Sequence, residues 1–206
     1  MKKFLYVLLV PYALFIIKTI PLQAQGIEWE DIFGGVNNDK GYSVQETSDG
    51  GYILAGYTYS FGTGESDVYL IKLDSNGDTI WTKTYGGDSY DVGYSVQETS
   101  DGGYIIVGYT YSFGAGESDV YLIKTDSNGN VLWTKTFGGA SYDMGYSVQE
   151  TSDGGYIITG YTDSFGAGGS DVYLIKTDSN GNIAWTRTYG GSSSEAGYSV
   201  RETPDG

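Results

Sequence analysis

The chain has no histidine, no cysteine and only three prolines in 206 residues. Without histidine it has neither the commonest general base near neutral pH nor the commonest metal-ligating ring. Without cysteine it can form no disulfide, thiol nucleophile or thiolate metal site. Serine hydrolysis by a histidine-dependent triad is excluded with them. Any chemistry would rest on Asp, Glu, Tyr, Ser, Thr, Lys or Arg. Positive charge is scarce as well, with 11 Lys and Arg against 26 Asp and Glu. An apolar run occurs only near the start, from Phe4 to Ile17, and it is too short to span a bilayer as a stable helix.

That run, preceded by Lys2 and Lys3 and followed by Pro21-Leu22-Gln23-Ala24, has the parts of a signal peptide cut after Ala24. The expected protein is therefore secreted or on the cell surface, with the periplasm as the other destination, and has no stable membrane insertion after cleavage. Lys2, Lys3 and Lys18 leave with residues 1–24, which takes the net charge from −15 to −18. So acidic a surface repels polyanions, so nucleic acid is not an expected partner.

What the chain does have is glycine, tyrosine and repetition. Its 33 Gly, 21 Tyr, 7 Phe and 4 Trp favour strands joined by tight turns. Trp29, Trp81, Trp133 and Trp185 recur at an interval of 52 residues. GYSVQET recurs at Gly41, Gly93 and Gly145, becomes GYSVRET at Gly197, and DVYLIK recurs at Asp67, Asp119 and Asp171. Fixed-period self-similarity marks a repeat architecture.

The second copy resolves into four strands: Tyr94 to Thr99, Tyr104 to Thr110, Val120 to Thr125 and Val131 to Phe137. Asp101-Gly102 and Asn128-Gly129 supply hairpin turns between the first two and the last two. The middle strands are nearly continuous apolar runs, as in strands covered on both faces. The last strand carries Trp133 together with Lys135, a polar outer edge that resists pairing with other chains. The predicted fold is all-β, a β-propeller of four-stranded antiparallel blades. A solenoid of stacked hairpins is the competing architecture. Ile105, Val107, Leu122, Ile123 and Trp133 are expected to fill the spaces between blades. The blades fall at about 41–85, 93–137 and 145–189 within 25–206, with partial blades at 29–33 and 197–206. Such a set leaves the ring incomplete, so further blades are expected in a longer chain.

The run DVYLIKTDSNGNVLWTKT from Asp119, with GYSVQETSDGGYIIVGYT from Gly93, resembles the secreted bacterial β-propeller repeat proteins. The resemblance covers essentially all of the chain after the leader, and it implies architecture rather than activity. Asp126 to Trp133 is also similar to the tryptophan-docking motif of quinoprotein blades. It is one residue shorter between Asp126 and Gly129 and has Asn128 in place of Thr. No quinone- or metal-binding residue of those enzymes has a counterpart here. The similarity implies a blade and no cofactor.

Within a blade, the long connections gather at one end and the tight turns at the other. The long connections carry Tyr59, Phe61, Tyr90, Tyr111, Phe113, Tyr142 and Phe165 with the acids Asp91, Glu117 and Asp143. Aromatic rings beside carboxylates suit a glycan, and exposed loops suit a protein ligand. The alternative is structural: Phe61, Phe113 and Phe165 plug the blade ends, and Asp39, Asp91 and Asp143 bond to loop amides. Asp74-Ser75-Asn76-Gly77-Asp78 resembles the opening of a calcium loop, but Thr79 and Tyr85 stand where that loop needs Gly and Glu, and a hairpin turn explains it better. No metal site is expected. A glycosidase-like carboxylate pair is the remaining enzymatic option, but identical repeats do not offer the asymmetry that catalysis needs. The expected function is a non-catalytic module for binding or scaffolding. The alternative is the propeller portion of a larger extracellular enzyme or adhesin, and a purely structural array is the third reading.

Overall fold

The computed structural model describes residues 31–204. The expected signal peptide and Trp29 lie outside the described residues. The described chain forms twelve strands in three four-stranded antiparallel sheets, each a meander. The first blade comprises β1 (Asp39–Glu46), β2 (Tyr52–Thr58), β3 (Asp67–Leu73) and β4 (Thr79–Tyr85). The second comprises β5 (Asp91–Glu98), β6 (Tyr104–Thr110), β7 (Asp119–Thr125) and β8 (Val131–Phe137). The third comprises β9 (Asp143–Glu150), β10 (Tyr156–Thr162), β11 (Asp171–Thr177) and β12 (Ile183–Tyr189). No ring closes among the described residues, as an incomplete propeller requires.

The expected second, third and fourth strands of the central blade match β6 to β8 to within a residue. The first does not. It was expected at Tyr94 and begins at Asp91, because Asp91 pairs with Thr110 and Val92 with Tyr109 ahead of an irregularity between Gly93 and Ser95. The expected partial strands differ too. Asp31 to Phe33 form no strand, and neither does the segment 198–203. That last segment lacks a neighbouring second strand to complete its ladder. It is held by side chains instead: Val200 N donates to Ser147 Oγ at 3.3 Å and Glu202 N to Gln149 Oε1 at 2.8 Å. Val96 and Glu98 of β5 make the same contacts to Ser43 and Gln45 of β1.

Strand alternation distributes each blade's side chains to two interfaces. Ile53, Ala55, Val68, Leu70 and Tyr85 of the first blade meet Val96, Tyr104, Ile106, Tyr121 and Ile123 of the second. The second blade turns Ile105, Val107, Val120, Leu122 and Phe137 the other way, against Val148, Tyr156, Ile158, Tyr173 and Ile175. Ile105, Val107, Leu122 and Ile123 are all fully buried, as expected. A large apolar side chain so buried contributes about 1.5–3 kcal/mol. Trp133 is only half-buried; it lies over Tyr156 and against Gly181 of the next blade, as Trp81 does on Tyr104 and Gly129. Lys135, expected at a bare edge, is half-buried and donates to Asn182 of that same turn at 3.2 Å.

The tight turns close with a glycine in the left-handed region, Gly102 at φ 80° and Gly129 at φ 73°. Thr99 N bonds to Gly103 O and Gly102 N to Thr99 O, the pattern of a type I turn followed by a left-handed residue. A lysine fastens each first turn, buried in the first two blades and partly buried in the third. Lys72 Nζ donates to Thr47 Oγ1 at 3.0 Å and Leu73 O at 2.9 Å and pairs with Asp49. Lys124 and Lys176 likewise pair with Asp101 and Asp153 and donate to Thr125 O and Thr177 O. Burial of Asp101 opposes its ionisation, but bonds from Thr99, Lys124 and Gly103 outweigh it and hold the pKa at about 2.

Glycine is also required where the first two strands meet, for a different reason. A methyl on Gly108 would lie 1.7 Å from the Val92 carbonyl oxygen, whereas one on Gly102 meets nothing within 4 Å. Gly108→Ala is therefore expected to cost about 3 kcal/mol or to abolish cooperative unfolding. Gly102→Ala, which meets only backbone strain, should cost about 1 kcal/mol. Denaturant titration of the two variants beside the parent chain measures the difference.

Candidate functional site

The ends of the blades that carry the long connections are laced together by backbone bonds. Asp91 N donates to Ser66 O of the preceding blade at 2.8 Å, and Tyr111 N donates to Tyr90 O at 2.9 Å. Asp143 N repeats the first contact on Ser118 O, and Asp163 N repeats the second on Tyr142 O. Tyr90 is thereby fixed between Tyr59 of the first blade and Tyr111 of its own, and Tyr142 follows in turn. The centroids of Tyr59–Tyr90, Tyr90–Tyr111 and Tyr111–Tyr142 are 6.3, 6.1 and 6.4 Å apart, every pair edge to face. The four rings are 37–40% exposed, so they form one surface track.

Behind this track stand tyrosines that the sequence reading left among the strands. Tyr57 and Tyr109 touch Tyr59 and Tyr111 at 5.4 and 5.7 Å. They lead inward to Tyr42, Tyr94, Tyr146 and Tyr198, which succeed one another at 4.8, 5.2 and 5.1 Å along β1, β5, β9 and the segment after β12. The repeated Gly-Tyr at the head of each copy was the available signal. Burial first, then neighbouring hydroxyls, pushes Tyr109 up to about 12. Two exposed carboxylates border the outer track. Glu65 lies against the Tyr90 hydroxyl and, by its charge, raises its pKa. Glu117 adds to the rise in Tyr111, which burial and Tyr142 begin. Glu65 was not among the candidate residues; Glu117 was. In the third blade Asp163 and Ser194 stand in the tyrosine positions, and the track stops.

Asp91 and Asp143 are not part of this surface. Both are fully buried at the start of their strands. Asp91 Oδ2 accepts Gly87 N at 2.9 Å and Ser112 Oγ at 2.6 Å, and Asp143 Oδ2 accepts Gly139 N and Ser164 Oγ at the same distances. Asp39 accepts Gly35 N, Ser60 and Thr58 in the same manner. These carboxylates order the loops from inside. The phenylalanines are caps. Phe61, Phe113 and Phe165 lie on the core rings of Tyr69, Tyr121 and Tyr173 at 5.6, 5.6 and 5.8 Å, each 45–46% exposed. Of the ten candidates, Tyr59, Tyr90, Tyr111, Glu117 and Tyr142 are brought together on one face.

Each buried aspartate has a second carboxylate beside it. A methyl at Gly86 would lie 2.1 Å from Asp67 Oδ1 and 2.6 Å from Asp91 Oδ2, so only a glycine lets the two approach there. Asp119 with Asp143 at Gly138, and Asp171 with Glu195 at Gly190, repeat the arrangement. Burial, then the charge of Asp91, raises Asp67 to about 6 although Thr63 N donates to it. Burial raises Asp119 likewise.

The opposite end offers short hairpins. Asp74 Oδ1 accepts both Asn76 N at 2.8 Å and Asp78 N at 2.9 Å, and Asp126 and Asp178 repeat this. These carboxylates brace turns, the hairpin alternative to a calcium loop. Among the described residues no group of three or more Asp or Glu is placed to hold a metal ion.

A family described as a β-propeller domain of unknown function matches residues 47–79 and 99–131. Both stretches run from the first turn of a blade through its middle strands to the second turn. With its three four-stranded meanders at a 52-residue spacing, this chain is a β-propeller repeat protein. It is also similar to the regulatory protein FlaEY of Caulobacter vibrioides, 28% identical over 141 residues that cover 57% of this chain. The match spans only 15% of that protein's length.

The Asp67–Asp91 pair has a measurable consequence. Asp67 binds its proton more tightly folded than unfolded, so the fold loses stability as pH rises from about 4 to about 6 and is level above. Asp67→Asn keeps the acceptor for Thr63 N and removes the charge. At pH 7 the variant should be more stable than the parent by on the order of 1–2 kcal/mol, with no difference near pH 3.5. Thermal melts of both across that range measure the gap.

Proposed function

We propose that this chain is an exported, non-catalytic binding module whose ligand, a glycan or a protein, is held on the tyrosine-lined end of the blades. The carrying observation is the unbroken track Tyr59–Tyr90–Tyr111–Tyr142, flanked by Glu65 and Glu117. Tyrosine presents apolar area and a hydroxyl together at little entropic cost, which is why it is enriched where proteins bind. Successive blades offer similar contacts side by side, so weak individual contacts sum on an extended ligand. The carboxylates that would serve in acid–base chemistry are buried under the loops, and the loop residues repeat. Both features support binding over turnover. The leader and the acidic surface support export, and they make nucleic acid and anionic lipid poor partners.

The test is an array carrying glycans and peptides, probed with the parent chain and with Tyr90→Ala/Tyr111→Ala. Binding to at least one class, reduced about tenfold or more in the variant, is the expected result. Absence of any binding, or binding that survives the double substitution, contradicts the proposal.

A further inference from the structure

The loop end of the blades is segregated in charge as well as rich in rings. Glu65, Asp88, Glu117 and Asp163 are exposed there. The described cations are mostly held elsewhere. Lys72, Lys124 and Lys176 are locked into the turns of the opposite end, and Lys83 and Lys135 reach the last turn of the next blade. Arg187 lies over Trp185 on the outermost strand, and Arg201 lines a cavity among Ser95, Gln97 and Ser147 of the inner strands. Lys40 alone among them approaches the tyrosine network, and its Nζ sits 5.9 Å from the centroid of Tyr57. The chain thus already places one cation on this network.

Ring orientation narrows the ligand further. Successive rings of the track are turned 69°, 75° and 66° to one another. They make no flat platform on which a sugar ring could stack across two of them. A compact cation needs only one ring face within about 6 Å and a nearby counter-charge. Glu65 beside Tyr90 and Glu117 beside Tyr111 supply that counter-charge. The ring spacing of 6.3, 6.1 and 6.4 Å also approaches the roughly 6.8 Å between alternate side chains of an extended peptide.

We infer that this end docks an extended Lys- or Arg-rich segment of a protein partner, with its cations on the Tyr59, Tyr90, Tyr111 and Tyr142 rings and Glu65 and Glu117 as counter-ions. The inference rests on reading the tyrosine end as the binding surface, and it selects the peptide over the glycan.

Fluorescence anisotropy of labelled octa-arginine and octa-lysine with the full chain tests it, with octa-glutamate as the control peptide. Octa-arginine should bind at about 50 mM salt and weaken about tenfold by 300 mM, because the screening length, about 10 Å at 0.1 M, shortens as salt is added. Glu65→Gln/Glu117→Gln and Tyr90→Ala/Tyr111→Ala should each weaken it about fivefold or more. Glu46→Gln/Asp78→Asn, which removes two charges at the far end, should change it less than about twofold. No preference for octa-arginine over octa-glutamate, or equal losses from the far-end and loop-end variants, overturns the inference. If neutral glycans bind through the tyrosines while octa-arginine does not, the cationic partner is wrong and the binding face stands. If neither class binds, both fall.

Discussion

Everything in this protein depends on the covering of one sheet face by the next. Strands such as β6 and β7 are apolar on both sides, so a single blade in water would leave five or so large side chains per face exposed. Neighbouring blades remove them from water together, and the clusters at the two junctions are built from equivalent residues. Fixing a residue's backbone costs about 1–2 kcal/mol, and an isolated sheet with bare faces has little to set against it. The repeat period is the consequence: every blade has to present the same two surfaces in the same register.

The same register builds the loop end. Because the second and third blades enter their first strands through a bond to the preceding blade, Tyr90 and Tyr142 are delivered to fixed places between their neighbours' tyrosines. The surface track is thus a by-product of blade stacking, while the buried aspartates beneath it keep the loops in shape. Two sets of carboxylates act in opposite pH ranges. Asp49, Asp101 and Asp153 are held ionised by hydroxyl and lysine contacts, and their stabilisation is lost as pH falls below the ordinary carboxylate range. Asp67 and Asp119, buried and beside a second carboxylate, favour the opposite direction.

Much of this was legible in the amino-acid order. The tryptophan interval, the Asp-Gly and Asn-Gly turns and the double-sided apolar runs placed β6, β7 and β8 nearly to the residue. What escaped depended on partners distant in sequence. Asp91 read as a loop acid because its pairing with Thr110 and its amide bond to Ser66 are tertiary facts. Lys124 follows an apolar run with nothing nearby in sequence to mark a role, whereas its ammonium is buried on Thr125 O and Asp101. Tyr94 read as a strand residue, and only the meeting of successive innermost strands reveals it as one of a series with Tyr42 and Tyr146. The final copy was read as a strand, yet strand pairing needs a neighbour that the described residues do not supply.

Mutual cover between blades is best tested on one blade without its neighbours. Circular dichroism and urea unfolding of the excised segment 93–137 should show a largely unstructured chain with no cooperative transition. The three-blade chain should unfold in one sharp step. A segment 93–137 that forms a cooperative sheet on its own, as resistant to urea as the whole chain, would contradict the account.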